Sequence, residues 1–187
     1  MTKFILASQS QRRIDFLTEL GYQFDIMAAD IDESAKKAER PRDYVRRVAL
    51  EKAQKIASEN PGRDILAADT VCAVGRRLLG KPTDKNQAFE YIKMMSGTSH
   101  RVYSSVCLIK ANGEVKNKVI ETRVKFRPMS NQDINQYLEN EANWKGFAGG
   151  YAIQSTAGSS LVKSIVGSPS SVIGLPLYET QCLLKQI

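Results

Sequence analysis

An acidic residue within an apolar run is the first feature of this sequence that could carry out chemistry. The run ILAADTVCAV, residues 65–74, predicts a buried strand, yet it contains Asp69 and Thr70. An ionised carboxylate removed from water is costly unless a cation or a metal ion compensates its charge. We therefore expect cationic partners for Asp69. The alternative is that Asp69 ends the strand and caps a turn.

A lysine on the apolar face of a helix is the second such feature. Residues 41–57 have helical spacing of apolar side chains, and Lys52 lies on the apolar stripe between Val48 and Ile56. Its aliphatic stem could extend to the rim of the stripe and leave the ammonium group in water. Alternatively, the ammonium group points into a cleft and binds phosphate oxygens. The sequence alone leaves both interpretations open.

Two arginines follow a short N-terminal strand, KFILA, and a hydroxyl-rich turn. Ser8 or Ser10 is expected to cap the next helix, which Gly21 ends, and the unpaired N–H groups at a helix start attract anions. Arg12 and Arg13 lie in the first turn, where cations are unfavourable against the helix dipole. A bound anion would reverse that penalty, so the segment predicts an anion site. The alternative is a pair of exposed surface arginines.

Two further segments carry charged residues in restrained positions. Residues 31–34, Ile-Asp-Glu-Ser, place Glu33 in a predicted loop whose adjacent carboxylates suit a hard divalent cation. The alternative is a solvated acidic turn.

Lys81 lies between a glycine and a proline, and Pro82 favours an extended conformation for it. The next helix is expected to be capped by Thr83 or Asp84.

Length and cysteine content limit the class of protein. A chain of 187 residues predicts one domain, 1–187, with a substantial core. It contains neither an apolar stretch of the ~20 residues that span a membrane nor a signal peptide, so we expect no membrane partner. The three cysteines, Cys72, Cys107 and Cys182, are odd in number and far apart, which argues against a disulfide framework and favours a cytoplasmic protein. The single histidine, His100, excludes a histidine-rich metal site.

The net charge of +7 favours an anionic partner, either nucleic acid or a polyphosphate. The basic residues are spread along the chain, and aromatic residues do not alternate with them as on a single-strand-binding surface. We therefore do not expect nucleic acid as the partner. The sequence also contains neither the phosphate-binding pattern GxxxxGK[ST] nor the dinucleotide-binding pattern GxGxxG.

The predicted elements alternate between strands and helices, as in an α/β protein. Strands are expected at 3–7, 24–28 and 65–74, and two long strands at 99–110 and 115–127 are joined by a hairpin turn at Ala111-Asn112-Gly113. A final strand-like segment, LVKSIVG, follows a stretch rich in glycine. Helices are expected at the following positions: 11–20, 42–58, 84–95, 130–140 and about 176–186.

Seven segments in this order resemble the motifs of the Maf family of nucleoside triphosphate pyrophosphatases, relatives of the inosine-triphosphate pyrophosphatase fold. LASQSQRR resembles the LAS-x-SPRR opening of the family, with Gln11 in place of the usual proline. The other six segments are DIDES, ALEKA, AADTV, LGKP, YAIQ and VIGLPL. The match extends from Ile5 to about Tyr178. It implies an elongated central mixed sheet flanked by helices, with the glycine-rich segment 146–158 facing the N-terminal motifs across an active-site cleft between two lobes.

The resemblance also implies hydrolysis of a nucleoside triphosphate between its α- and β-phosphates. Asp69 would accept the proton of the attacking water, and Glu33 together with Asp69 would bind a divalent metal ion such as Mg²⁺ or Mn²⁺. A homodimer is an expectation from the family alone. The positions that match the functional motifs of the family are Ser8, Arg12, Arg13, Glu33, Lys52, Asp69, Lys81 and Gln154.

Three positions resemble the branch of the family that acts on dTTP and UTP: Arg12, Thr70 and Gln154. A glutamine amide can both donate to and accept from the edge of a pyrimidine base. Removal of unwanted nucleotides from the pool is the role this implies. One alternative is hydrolysis of 7-methyl-GTP or another modified nucleotide, and a second is a septum-related regulator that binds nucleic acid without catalysis.

Overall fold

A mixed sheet of seven strands forms the centre of the part of the chain that this computed structural model describes, residues 3–187. The main path of the sheet runs β2-β1-β3-β5-β6-β7, and β4 pairs with β3. Strand β1 is parallel to β2 and β3, whereas β4 and β7 are antiparallel to their neighbours β3 and β6. The strands are β1 (Phe4–Leu6), β2 (Phe24–Ile26), β3 (Ile65–Val74), β4 (Arg77–Leu79), β5 (Ser99–Ile109), β6 (Val115–Phe126) and β7 (Val162–Val166).

Helices flank this sheet, so the predicted α/β class with a central mixed sheet is confirmed. The main elements lie within a few residues of their predicted positions, while β4 and the short helices α5 and α6 were not predicted. The helices are α1 (Gln11–Glu19), α2 (Pro41–Glu59), α3 (Lys85–Met95), α4 (Asn131–Leu138), α5 (Thr156–Ser160), α6 (Pro169–Ile173) and α7 (Leu177–Leu184).

The described residues divide into two compact units. The first unit comprises the residues up to Thr70 together with Ser104–Ile120 and Gly174–Ile187, and the second comprises Val71–Tyr103 and Glu121–Ile173. The expectation of a single domain over 1–187 stays a prediction. So does the expected cleft between the N-terminal motifs and segment 146–158.

In the first unit, alternate residues of β1, β3 and β5 enter two separate apolar clusters. One cluster includes Leu66 and Ala68 of β3 together with residues of α1 and α7, and the other includes Ile65 and Ala67 with residues of α2. Successive side chains of a strand point to opposite faces of a sheet. Helices α1 and α7 therefore cover one face of β3, and α2 covers the other.

The second unit has a core of its own, built partly from aromatic rings. The rings of His100, Phe126 and Tyr151 contact one another edge to face, and His100 Nε2 lies 2.9 Å from the Tyr151 hydroxyl. Burial lowers the pKa of His100 to about 4, so its imidazole is neutral at pH 7. This histidine lies in a strand and is buried. Its contact with Tyr151 packs it against the segment that carries Gln154.

Gly158 provides a test of how closely that segment is packed. A Cβ atom at Gly158 would lie 2.0 Å from the carbonyl oxygen of Ala152, whereas one at Gly80 would meet nothing within 4 Å. We expect Gly158→Ala to lower the free energy of unfolding by about 1–3 kcal/mol or more, because backbone atoms must shift. Gly80→Ala is the matched control and should change it by less than ~0.5 kcal/mol. Urea denaturation of both variants measures the difference, and equal stabilities would contradict the packing described.

Candidate functional site

The alternation of side chains along β3 separates the two polar residues that stand out in its sequence. Asp69 follows Ile65 and Ala67 on the face covered by α2, and Thr70 follows Leu66 and Ala68 on the face covered by α1. Asp69 is 7% exposed and lies within the strand, which continues to Val74. The alternative that Asp69 ends the strand and caps a turn is therefore wrong.

Lys52 provides the cation that the buried Asp69 requires. Its ammonium group donates to Asp69 Oδ1 at 2.9 Å and also lies 2.9 Å from Glu33 Oε1. The Lys52 side chain is 11% exposed and lies on the buried face of α2. The ammonium group thus points inward, and the alternative in which it extends into water is wrong. One lysine holds two carboxylates from different segments together.

The electrostatic balance at Asp69 favours a proton acceptor. Burial raises the pKa of Asp69 above the ordinary value, and the positive charges of Lys52 and Arg13 oppose that shift. A carboxylate with a raised pKa is a stronger base than an exposed aspartate. Burial also raises the pKa of Tyr44 to about 12, with a further contribution from the charges of Asp69 and Glu33. Tyr44 lies on α2 and was not predicted, since an isolated tyrosine on a helix gives no signal.

On the opposite face of β3, Arg13 is buried among oxygen acceptors. Its Nη1 donates to Ser8 Oγ at 3.1 Å, and its Nε donates to the carbonyl oxygen of Gly174 at 2.8 Å. Thr70 Oγ1 donates to the same carbonyl at 3.2 Å and lies 2.7 Å from Ser104 Oγ. The structure thus brings Ser8, Arg13 and Thr70 together. Gly174 and Ser104 were not predicted as their partners.

The start of α1 differs in detail from the prediction. Ser10 is the N-cap residue, but its side chain makes no capping hydrogen bond. Ser8 Oγ instead accepts a hydrogen bond from the Ser10 N–H at 3.2 Å, so the hydroxyl of Ser8 is directed to the turn and to Arg13. Arg12 lies in the first turn of α1 and is partly buried, and burial lowers its pKa. Neither arginine of this pair is a simple exposed surface residue.

The two remaining predicted site residues lie in the second unit. Lys81 is exposed in the segment between β4 and α3, and Asp84 rather than Thr83 caps α3 by accepting from the Gln87 N–H. Gln154 is exposed in the turn that precedes α5. Convergence of Lys81 and Gln154 with the residues of the first unit stays a prediction.

Glu33 and Asp69 fit a divalent metal ion as two ligands of a larger set. Both are oxygen donors, and Lys52 already brings the two carboxyl groups to one point. Mg²⁺ is commonly bound by one or two carboxylates, with waters and substrate phosphates in the remaining positions. Within residues 3–187 there is no cluster of three or more His, Cys, Asp or Glu side chains that could hold a metal ion.

These features define a class of α/β protein. A buried strand aspartate pairs with a buried helix lysine, and the charge of a buried arginine on the other face of the strand also acts on the aspartate. The chain belongs to the family of Maf-like proteins, whose model matches residues 3–187. No helix within the described residues is long and apolar enough to cross a membrane.

Three proteins of similar sequence are named as pyrophosphatases. The dTTP/UTP pyrophosphatase of Brucella abortus (strain 2308) is 46% identical over 97% of this chain and 90% of its own length. The dTTP/UTP pyrophosphatase of Mesorhizobium japonicum is 44% identical over 99% of this chain and 91% of its own length. A nucleoside triphosphate pyrophosphatase of Anaplasma phagocytophilum is 44% identical over 99% of this chain and 95% of its own length.

A solved structure shares the fold at low sequence identity. The Ham1 protein of Staphylococcus aureus aligns with a TM-score of 0.56 and 11% identity, covering 99% of both chains. At this identity the likeness concerns the fold alone.

Lys52→Met tests whether the ammonium group is needed to keep Asp69 charged inside the protein. Removing one partner of a buried ion pair costs about 3–5 kcal/mol, because the other charge stays buried and uncompensated. The matched control is Lys55→Met on the same helix, which breaks only an exposed pair with Glu59 and should lower the free energy of unfolding far less, because water screens that pair. Urea denaturation at pH 7 measures both.

The pH dependence of Lys52→Met gives a second test. Without Lys52 the pKa of Asp69 in the folded state rises further above its unfolded value. At a pH between these two pKa values, the folded state binds more protons than the unfolded state. Stability then increases as the pH falls, and the deficit of the variant should shrink from pH 7 to pH 5. A deficit that grows over this range would contradict a buried, charged Asp69.

Proposed function

We propose that this chain hydrolyses nucleoside triphosphates, with dTTP and UTP as its substrates, to the monophosphate and pyrophosphate. The observation that supports this most directly is the buried carboxylate of Asp69, held by Lys52 at 2.9 Å and subject to the charge of Arg13. A single cation would compensate a purely structural carboxylate in an apolar strand, whereas the positive charges of both Lys52 and Arg13 act on Asp69. A phosphate-transfer site needs a base and cations together.

Each residue of the site has a role in this proposal. Asp69 accepts the proton of the water that attacks the α-phosphate, since its raised pKa makes it a suitable general base. Lys52 and Arg13 stabilise the negative charge that develops on the phosphate oxygens. Additional contacts with the triphosphate come from Ser8, Arg12, Thr70 and Lys81.

The proposal includes a divalent cation, Mg²⁺ or Mn²⁺, for which Glu33 and Asp69 are the protein ligands. When bound, such an ion neutralises charge on the phosphate oxygens and favours attack. Lys52 contacts one oxygen of each carboxylate at 2.9 Å, so the two groups lie near enough to each other to bind one ion together. Waters and substrate oxygens would supply the remaining oxygen ligands.

The substrate assignment rests on the relatives and on Gln154. The similar proteins of Brucella abortus and Mesorhizobium japonicum are named dTTP/UTP pyrophosphatases, and they match nearly the whole chain. In this proposal the exposed amide of Gln154 reads the edge of uracil or thymine. The alternative substrates are 7-methyl-GTP and other modified nucleotides, and a regulator that binds nucleic acid is the alternative without catalysis.

The cellular context is also part of the proposal. All three cysteines are free thiols, two buried and one exposed, which is compatible with the reducing cytoplasm. In that compartment the enzyme would remove unwanted nucleotides from the pool. A homodimer is retained from the family expectation, and gel filtration with light scattering tests it.

Release of pyrophosphate by wild type and Asp69→Asn tests the reaction and its base. The substitution is nearly isosteric, but an amide is a poor base and a weaker metal ligand, so turnover with Mg²⁺ or Mn²⁺ should fall by about 10²–10⁴-fold. Asp64→Asn is the matched control: Asp64 is also buried, and its Oδ1 accepts from the Ala111 N–H, as an asparagine oxygen can. Near-normal turnover in Asp69→Asn would show that Asp69 is structural and make Glu33 the better candidate base.

A nucleotide panel tests the choice of base. With Gln154 reading a pyrimidine edge, dTTP and UTP should have the highest kcat/KM, and CTP should be worse by about 10–100-fold, since one mismatched polar contact costs about 1–3 kcal/mol. Gln154→Glu should lower kcat/KM for dTTP and UTP and narrow the gap to 7-methyl-GTP, whose positive ring favours a carboxylate. If the wild type prefers 7-methyl-GTP or treats all four nucleotides alike, the pyrimidine assignment is wrong even though the hydrolysis stands.

A further inference from the structure

The loop that carries Glu33 has little apolar packing beyond its first residues. It joins β2 to α2 over residues 27–40, and Met27 and Ala29 at its start pack against the core. Five loop residues, Ile31, Asp32 and Ser34 to Lys36, line a cavity of about 440 Å³, whose other wall is formed by Arg47 and Glu51 of α2. Apolar contacts therefore do not fix this part of the loop against the helix.

Arg47 connects the loop to the helix instead. Its guanidinium group binds both carboxylate oxygens of Glu39, from Nε at 2.7 Å and from Nη2 at 2.8 Å. Nη2 also donates to the carbonyl oxygen of Ser34 at 3.0 Å, and Nη1 donates to Glu51 Oε2 at 2.8 Å. Paired bonds from arginine to a carboxylate are strong and directional. One side chain thus holds two points of the loop, one of them the residue next to Glu33.

The Glu39 carboxylate is held by a further hydrogen bond besides those from Arg47. Its side chain is 9% exposed, and its Oε2 also accepts from the Lys36 N–H at 3.0 Å, which closes the turn before α2. That turn contains Ala38 at a φ of 59°, a left-handed conformation that residues other than glycine rarely adopt. The hydrogen bonds from Arg47 lower the pKa of Glu39 to about 2, so the carboxylate stays charged at neutral pH.

We infer that Arg47 and Glu39 form a positioning clamp that holds the loop 27–40 so that Glu33 reaches Lys52. Arg47 and Glu39 are positioning residues, since they act through Glu33. The assignment of Glu33 to the metal rests on the proposed function, whereas the clamp itself is a property of the loop. The Glu33 side chain is more exposed than that of Lys52, so neighbouring side chains do little to hold it. Its 2.9 Å contact with Lys52 therefore depends on the position of the loop backbone.

The first test is hydrogen exchange in the substrate-free protein, which does not depend on catalysis. In Arg47→Lys and Glu39→Gln, amides of residues 27–40 should exchange about 10-fold or more faster, because the paired bonds are lost and the loop opens locally. Amides of β3 should exchange as in the wild type. Glu59→Gln is the matched control, since the same substitution on α2 breaks only an exposed pair with Lys55. Unchanged exchange in the loop for both clamp variants overturns the clamp.

The second test measures hydrolysis against Mg²⁺ concentration. Both clamp variants should need about 10-fold more Mg²⁺ for half-maximal rate, while kcat at saturating Mg²⁺ falls much less, since Glu33 is misplaced rather than removed. A double variant should be little worse than either single one, because both residues act in one clamp. Faster loop exchange with an unchanged Mg²⁺ requirement would overturn the link to Glu33. If the wild type hydrolyses none of the nucleotides, the proposed function fails, and the exchange experiment still decides the clamp.

Discussion

The ion pair between Asp69 and Lys52 is the interaction on which the rest of the site depends. An aspartate in the middle of a buried strand is tolerated only with a compensating cation, and the cation must come from an element packed on the same face. Helix α2 meets this requirement by carrying Lys52 within its apolar stripe. The helix therefore contributes both core packing and charge, and the same ammonium group fixes Glu33.

The two polar residues of β3, Asp69 and Thr70, lie on opposite faces of the strand and therefore have different partners. Because neighbouring side chains point to opposite faces, Asp69 contacts α2 whereas Thr70 contacts Arg13 and the carbonyl of Gly174. A shift of one residue in the pairing of β3 would exchange these environments. The parallel pairing of β1 with β3, Ile5 opposite Ile65 and Leu6 opposite Leu66, fixes the register.

Site residues could be predicted from the sequence where a charged residue occurs among apolar neighbours. Asp69 in an apolar strand and Lys52 on an apolar helix face were both recognisable, and the structure joins them. The short elements β4, α5 and α6 were missed because they have too few residues to show a period. The roles of Gly174 and Arg47 were missed for different reasons: a backbone carbonyl has no sequence signal, and the partners of an arginine depend on contacts between segments far apart in the chain.

The charges of the first unit also bear on why a metal ion belongs in the proposed reaction. Asp69 and Glu33 together balance Lys52 and Arg13, so these four side chains are neutral as a group before any ligand arrives. A triphosphate adds several negative charges, which that group alone would not compensate. Further cations are needed, and the candidates are Arg12, Lys81 and a divalent ion that enters with the substrate. In the proposed reaction the two carboxylates would bind that divalent ion rather than repel the phosphates, which would explain why two acidic side chains lie at a site for an anionic substrate.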